Sequence, residues 1–311
     1  MMNRSRILVI AGPTAVGKTR FAIEAAKALD GEIVSCDSMQ LYKYMDIGSA
    51  KPTALERQQA VHHLVDFLDP RDDFSVARYQ QLAKEAIADI LSRGKLPIIS
   101  GGTGLYLNSI LYDMDFAESA GDQEYRRQLE QLAASRGNEY LHAMLAEQDP
   151  DAADAIHVNN LKKIIRALER LKEGEGSVRP FSQVRESAEY DPLLLGLTRE
   201  RAELYERIDQ RVDLLMAAGL LQEVRSLMDM GLSIDNVSMK GIGYKELIEH
   251  LQGECTLEEA VEKIKKNTRH YAKRQLTWFR RYDKIKWLDI STFGSDEEAV
   301  RGMIKWLKES L

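Results

Sequence analysis

The hydrophobic pattern changes character three times along the chain. An unbroken apolar run, Ile7-Leu8-Val9-Ile10-Ala11, predicts a strand buried on both faces, and Phe21-Ala22-Ile23-Glu24-Ala25-Ala26 carries a helix to Leu29. Glu32–Cys36 and Leu96–Ser100 read as further strands, with a loop through Pro52 and a helix around Ser75–Arg93 between them. Such alternation predicts a parallel α/β sheet whose binding edge lies at the strands' C-terminal ends. Between Asp115 and Asp191 the period becomes helical throughout. Asp122–Ser135, Glu139–Glu147 and Asp151–Glu173 are expected as helices, the last with Ile156, Leu161, Ile164, Ile165, Leu168 and Leu171 on its apolar face, before the Gly174-Glu175-Gly176-Ser177 break. Strand-like Leu193–Leu197 then resumes the core. Helices Arg199–Gly219, Leu220–Met230 and Thr256–Tyr282 follow, with a last strand near Ile285–Ile290 and a terminal helix. The expected division is a core of residues 1–114 and 191–311 interrupted by a helical insert, 115–190.

The first strand runs directly into Gly12-Pro13-Thr14-Ala15-Val16-Gly17-Lys18-Thr19, which fits the phosphate-binding loop G-x-x-x-x-G-K-[ST] in its required strand-to-helix setting. Glycines let the backbone N–H groups turn inward toward an anion, and the following helix adds the positive end of its dipole. Lys18 can reach outer phosphates, and the Thr19 hydroxyl is placed for Mg²⁺. The fold class is therefore α/β, a P-loop NTPase-like parallel sheet with an inserted helical domain, and the ligand is phosphorylated.

Composition narrows the class. Hydrophobic residues make up 44% and charged residues 30%, as in ordinary globular chains, and no apolar run approaches the roughly 20 residues of a membrane span. Cys36 and Cys255 are the only cysteines, without metal-ligand spacing, so a reduced cytoplasmic protein lacking disulfides and zinc is expected. Because the chain passes almost directly into the first strand, no signal peptide is expected. A net charge of −6 argues weakly against nucleic acid, but its distribution argues the other way. Between Val261 and Trp287 ten basic residues stand against Glu262 and Asp283, and Lys266, His270, Lys273, Arg280 and Lys284 fall at helical spacing. That stripe is either an RNA-facing surface or a solvated helix face.

Asp37 follows the second strand, and reads either as a turn cap or as a general base facing the ligand's reactive end. Gly102-Thr103-Gly104 is either an ordinary tight turn or one that brings Thr103 into the same crevice. His62 and His63 are expected in capping or packing roles, and Tyr271, Trp278 and Phe279 in the core or in domain contacts rather than stacked on bases.

Taken together, several blocks resemble the tRNA dimethylallyltransferase family. They are Gly12–Thr19, Asp37-Ser38-Met39-Gln40-Leu41-Tyr42, Met45-Asp46-Ile47-Gly48 with Ala50-Lys51-Pro52, His62-His63-Leu64 and Gly101-Gly102-Thr103-Gly104-Leu105-Tyr106. Further along come Arg166-Ala167-Leu168-Glu169, Gly241-Ile242-Gly243-Tyr244-Lys245-Glu246 and Ala272-Lys273-Arg274-Gln275-Leu276-Thr277-Trp278-Phe279-Arg280. The resemblance implies transfer of a dimethylallyl group from its pyrophosphate to the exocyclic amine of the adenosine beside the anticodon, with Mg²⁺ as cofactor and the tRNA anticodon stem-loop as partner. It implies Asp37 as base, Thr103 near the reacting groups, and Lys18, Thr19 and Arg211 on pyrophosphate or Mg²⁺. Ser38, Met39 and Gln40 would line the path of the flipped base, and Arg126 and the insert residues Lys162, Lys163, Ile164, Ile165 and Arg166 would meet tRNA. Where the bacterial pattern begins that insert block with glutamine or arginine, this chain has Lys162-Lys163, which keeps charge and loses bidentate geometry. A monomer is expected. Three alternatives use the same residues: a small-molecule or nucleoside kinase binding ATP, an adenylate isopentenyltransferase acting on a free nucleotide, and a non-catalytic RNA-binding module. The first two leave the insert without a purpose, and the third leaves Asp37 and the P-loop without one.

Overall fold

The computed structural model describes residues 4–114, 123–174 and 185–311. Its sheet has six strands, all parallel, in the order β3-β2-β4-β1-β5-β6. They are β1 (Ser5–Ala11), β2 (Gly31–Cys36), β3 (His62–His63), β4 (Leu96–Gly101), β5 (Tyr190–Thr198) and β6 (Lys286–Asp289). Helix α1 (Lys18–Leu29) follows β1, α2 (Ala54–Gln59) precedes β3, and α3 (Val76–Ser92) and α4 (Gly104–Leu111) flank β4. After β5 come α9 (Arg201–Ala217), α10 (Leu220–Asp229), α11 (Tyr244–Leu251) and α12 (Leu257–Phe279), and after β6 the terminal α13 (Asp296–Ser310). Leu8 and Ile10 of β1 join one apolar cluster with Phe21 and Ala25 of α1 and Met303 and Leu307 of α13. Ile7 and Val9 alternate with them and are equally buried, so both faces of the sheet are covered. No helix among the described residues is long and apolar enough to cross a membrane.

The chain divides into two compact units, Met1–Leu111 with Ser187–Leu311, and Tyr112–Glu186. The expected boundary at 115 and most of the Gly/Ser break, residues 175–177, lie outside the described residues. The second unit holds α5 (Gln123–Arg136), α6 (Asn138–Gln148), α7 (Pro150–Ala155) and α8 (Leu161–Lys172) around a core of Leu129, Leu141, Leu145, Ile164 and Leu168.

The expected single helix Asp151–Glu173 is two. Chain direction breaks at Ile156, which is extended (φ −112°, ψ 115°), and α8 restarts after Asn160. His142 of α6 explains the break, because its Nε2 lies 3.1 and 2.8 Å from the carbonyls of Ala153 and Ile156. Those carbonyls are satisfied without a continuing helix, and Asn159-Asn160 prefer a turn to a helix interior. Helix α12 also ends at Phe279, three residues short of the expected stop, so Arg280 sits at its cap and Lys284 beyond it.

Register along the sheet places Cys36 beside Gly101 and Gly101 beside Ala11, so three adjacent strands end level. A Cβ on Gly101 would lie 2.0 Å from the Cys36 carbonyl oxygen, and backbone cannot yield as a side-chain tip can. Gly101→Ala is therefore expected to lower stability by about 2 kcal/mol or more, the scale of overpacking in a rigid site. Thermal unfolding followed by circular dichroism checks this; an unchanged midpoint would mean that these strands separate freely.

Candidate active site

The level strand ends bring three loops together. From β1 comes the P-loop, with Ala15 (φ +63°) and Gly17 (φ +111°) in the left-handed region that curls it around its own amides. Lys18 opens α1 and its Nζ donates to the Pro13 carbonyl, 2.8 Å away. From β2 comes Asp37, whose Oδ1 accepts from the Met39 N–H at 2.9 Å in a tight turn. From β4 comes Thr103, whose N–H donates to the Cys36 carbonyl (3.0 Å) while its Oγ1 accepts from the Ser38 N–H (3.0 Å). Thr103 thus splints the turn that presents Asp37.

Behind these loops stands Gln275 of α12, which the sequence reading did not single out. Its Oε1 accepts from the Thr14 N–H (2.8 Å) and its Nε2 donates to the Gly102 carbonyl (2.9 Å). One buried amide therefore ties the P-loop to the Thr103 turn, and a Cβ on Gly102 would lie 2.2 Å from that Nε2.

Two cavities meet at Asp37. The larger, about 460 Å³, is lined by Asp37, Ser38, Met39, Tyr42, Tyr106, Tyr271 and Arg211, with Gly241 and Gly243 on its far wall. The smaller, about 40 Å³, brings the polar side chains of Lys18, Thr19, Ser35, Asp37, Gln40 and Ser100 together over Ala22, Ile33 and Pro52. Loss of hydration pushes the Lys18 ammonium down to about 8, Arg211 pushes the same way, and the Asp37 carboxylate opposes them. Burial also lowers Arg211, again against Asp37. The Cys36 thiol is raised to about 12 by burial, so it is inert as a nucleophile. Two cations and one carboxylate, poorly hydrated and close together, suit a dianion on one side of Asp37 and a neutral polar group on the other.

Other expected residues divide differently. Ser38 and Met39 line the larger cavity, whereas Gln40 faces the smaller one and spans Ser35 (3.2 Å) and the Ala50 carbonyl (3.2 Å). Tyr271 is half-buried and lines the larger cavity rather than the core, while Phe279 is core as expected. His63 pairs with buried Glu32 (2.8 Å), and His62 borders the smaller cavity with its pKa lowered by burial; both form the edge strand β3.

In the helical unit, Lys162 and Lys163 are exposed on α8. Ile164 and Ile165 are instead buried in that unit's core, so the expected tRNA contact there is corrected to packing: α8 turns one face outward and these two lie on the other. Arg126 grips the buried Glu169 carboxylate through Nε (2.7 Å) and Nη2 (2.8 Å), and Arg166 approaches it at 3.6 Å. Arg126 is committed to holding α5 against α8. On α12, Lys263 pairs with Glu249, Lys265 with Asp213 and Arg269 with Asp209, all within the core unit. His270, Lys273, Arg274 and Arg281 line an open groove beside Trp278, with the Arg281 guanidinium over the indole.

These features define a P-loop α/β protein in which one carboxylate lies on the wall of both a small cavity beside Lys18 and a larger one that mixes aromatic side chains with cations such as Arg211 and Arg274. The family described as IPP transferase matches residues 40–282, and that described as isopentenyl transferase matches residues 5–72. The chain is 49% identical over 306 residues to a tRNA dimethylallyltransferase of Alkaliphilus oremlandii, covering 98% of each. Among solved structures it is similar to the full-length tRNA isopentenylpyrophosphate transferase of Bacillus halodurans (42% identity, TM-score 0.74, 98% of this chain and 96% of that one). It is also similar to a eukaryotic dimethylallyltransferase captured acting on tRNA (28% identity, TM-score 0.83, 98% of this chain and 80% of that one). The chain belongs to the IPP transferase family, the tRNA dimethylallyltransferases.

The position of Lys18 carries a pH signature. With a free-protein pKa near 8, the ammonium is charged at neutral pH and lost as pH rises through that value. An anion in the P-loop must then recruit a proton, weakening binding by up to about tenfold per pH unit above 8. Lys18→Arg keeps its charge throughout. Calorimetry of pyrophosphate with Mg²⁺ between about pH 6.5 and 9.5 is expected to show wild-type affinity falling relative to the arginine variant. Parallel profiles would mean that Lys18 does not face the anion.

Proposed function

We propose that this protein transfers a dimethylallyl group from dimethylallyl pyrophosphate to the exocyclic amine of the adenosine 3′ to the anticodon of tRNA, releasing pyrophosphate. The observation that carries the reading is the place of Asp37 on the wall of both cavities. The family relatives support this enzyme over a kinase and over an enzyme of free nucleotides.

The pyrophosphate lies in the P-loop among backbone N–H groups, Lys18 and Arg211. Its negative charge grows as the allylic C–O bond breaks, and fixed donors in a poorly hydrated chamber stabilise that growth. Oxygen donors around the small cavity, the Thr19 and Ser35 hydroxyls with the single Asp37 carboxylate, fit Mg²⁺ held largely by phosphate and water. Thr19 would face that Mg²⁺, whose chemistry is to neutralise the leaving group.

The adenine amine is a poor nucleophile because its lone pair is delocalised into the ring. Asp37 accepts its proton as the nitrogen bonds to the allylic carbon, and the electron pair of the C–O bond leaves with pyrophosphate. The base must first leave the anticodon stack, and Tyr106, Tyr271 and Met39 offer it apolar and aromatic walls. Lys162, Lys163 and Arg166 of the helical unit and the α12 groove hold the phosphate backbone of the stem-loop. The setting is cytoplasmic, and the working unit a monomer.

Incubation of the protein with unmodified tRNA and dimethylallyl pyrophosphate, followed by mass spectrometry of the nucleosides, tests the reading: prenylated adenosine is expected only with both substrates and Mg²⁺. Asp37→Ala is expected to slow the single-turnover chemical step by about 10²–10⁴ while binding pyrophosphate no more weakly. A near wild-type step would remove Asp37 from the role of base. Lys162→Ala with Lys163→Ala should weaken tRNA binding at every sequence and flatten its salt dependence by roughly one to two in log–log slope. An unchanged slope would place the two lysines off the RNA.

A further inference from the structure

The loop that follows the Asp37 turn closes the larger cavity with Gly48 and Ser49, yet it has no sheet or helix of its own. Its backbone donors converge on one side chain. The N–H groups of Asp46, Ile47 and Gly48 lie 2.8, 2.7 and 2.9 Å from the carboxylate of Glu223, in the first turn of α10. The Tyr244 hydroxyl donates to the same carboxylate at 2.8 Å. Three successive amides around an anion form a concave nest, of the kind that elsewhere holds a phosphate. Here the protein supplies the anion itself, and the bonds are charge-assisted.

Sterics make this loop dependent on that pin. A Cβ on Gly48 would lie 2.5 Å from the Tyr244 ring, and a Cβ on Gly241 2.6 Å from the Met39 methyl. The Met39–Ser49 wall and the Gly241–Tyr244 wall are thus pressed together with no side chain between them at these points. Lys51, bonded to Asp46 (2.6 Å) and Asp66 (2.8 Å), fixes the loop's other end. Glu223 does not line the cavity, and it touches neither the P-loop nor the small chamber.

We infer that Glu223 is a positioning residue for the acceptor. By holding Asp46–Gly48 against Tyr244 it sets the shape of the pocket that receives the RNA base, and it leaves the pyrophosphate side untouched. This inference rests on the proposed transfer to tRNA. Glutamine keeps the size of Glu223 but replaces one acceptor oxygen with an NH₂ group, and in either orientation that group meets N–H or O–H donors head-on.

Glu223→Gln is expected to lower kcat/KM for tRNA at least about tenfold, chiefly through KM for tRNA. The Kd for pyrophosphate with Mg²⁺ should stay within about twofold of wild type. Tyr244→Phe, which removes one donor of four, should give a smaller loss of the same kind, about two- to fivefold, and the double variant should lose less than the product of the two. If Glu223→Gln does not fold, the tRNA-selective loss in Tyr244→Phe carries the test alone. Equal weakening of pyrophosphate and tRNA, or no change in either, overturns the positioning role while wild-type protein still prenylates tRNA. A wild-type protein that forms no prenylated adenosine overturns the functional reading, and this inference with it.

Discussion

The buried amide of Gln275 joins the two halves of the site. The P-loop and the Thr103 turn come from neighbouring strands, but nothing in a parallel sheet fixes the loops beyond the last ladder hydrogen bond. Gln275 accepts from Thr14 and donates to Gly102, so it needs one acceptor and one donor on the same planar group. A carboxylate would lack the donor, and an aliphatic side chain would leave both backbone groups unpaired in a buried place. With that tie in position, Thr103 can splint the Asp37 turn, and the distance from the phosphate cradle to the carboxylate becomes a property of the fold. The missing Cβ atoms at Gly101 and Gly102 belong to the same constraint, because backbone and amide occupy their space.

Electrostatics follow from this arrangement. Lys18 and Arg211 are held where water solvates them poorly, and the cost appears as lowered pKa values only partly offset by Asp37. A site that keeps its cations under-solvated gains when a dianion arrives, and gains more when charge on that dianion grows. Asp37 shares the smaller cavity with Lys18 and the larger one with Arg211 and the aromatic side chains, so on the proposed function one carboxylate borders both the departing negative charge and the group that gives up its proton. The P-loop by itself selects phosphates. On the proposed function, the pocket beyond Asp37 selects what receives the prenyl group.

Local signals in the sequence were enough for much of this. The apolar run before Gly12, the spacing of the P-loop and the strand–helix alternation each depend on neighbours within a few residues, and the parallel sheet follows from them. The interactions that went unread are those between distant segments. Gln275 lies 261 positions from Thr14, and Glu223 177 from Asp46, with no composition or period to announce either pairing. His142 splits α7 from α8 by reaching across from another helix, where apolar residues at helical spacing suggested continuity. Strand β3 is two residues long, too short to show a period of two. The basic run on α12 was visible in full, but the acids that neutralise part of it sit on α9 and α11.

Burial also separates residues that adjoin in sequence. Lys162-Lys163 and Ile164-Ile165 are consecutive, and a helix with 3.6 residues per turn sends the first pair to solvent and the second to the core. Within the same unit Arg126 spends its guanidinium fork on Glu169, a bidentate bond that fixes two helices, while the exposed cations on α8 are lysines. An ammonium on a flexible stem is a point charge that follows a phosphate backbone without demanding one geometry. On the proposed function that is what a grip on the anticodon stem requires, since phosphates set register and carry no sequence information. Discrimination then falls to the shaped, weakly hydrated pocket around Asp37, whose walls are held by Gln275 on the donor side and by Glu223 on the acceptor side.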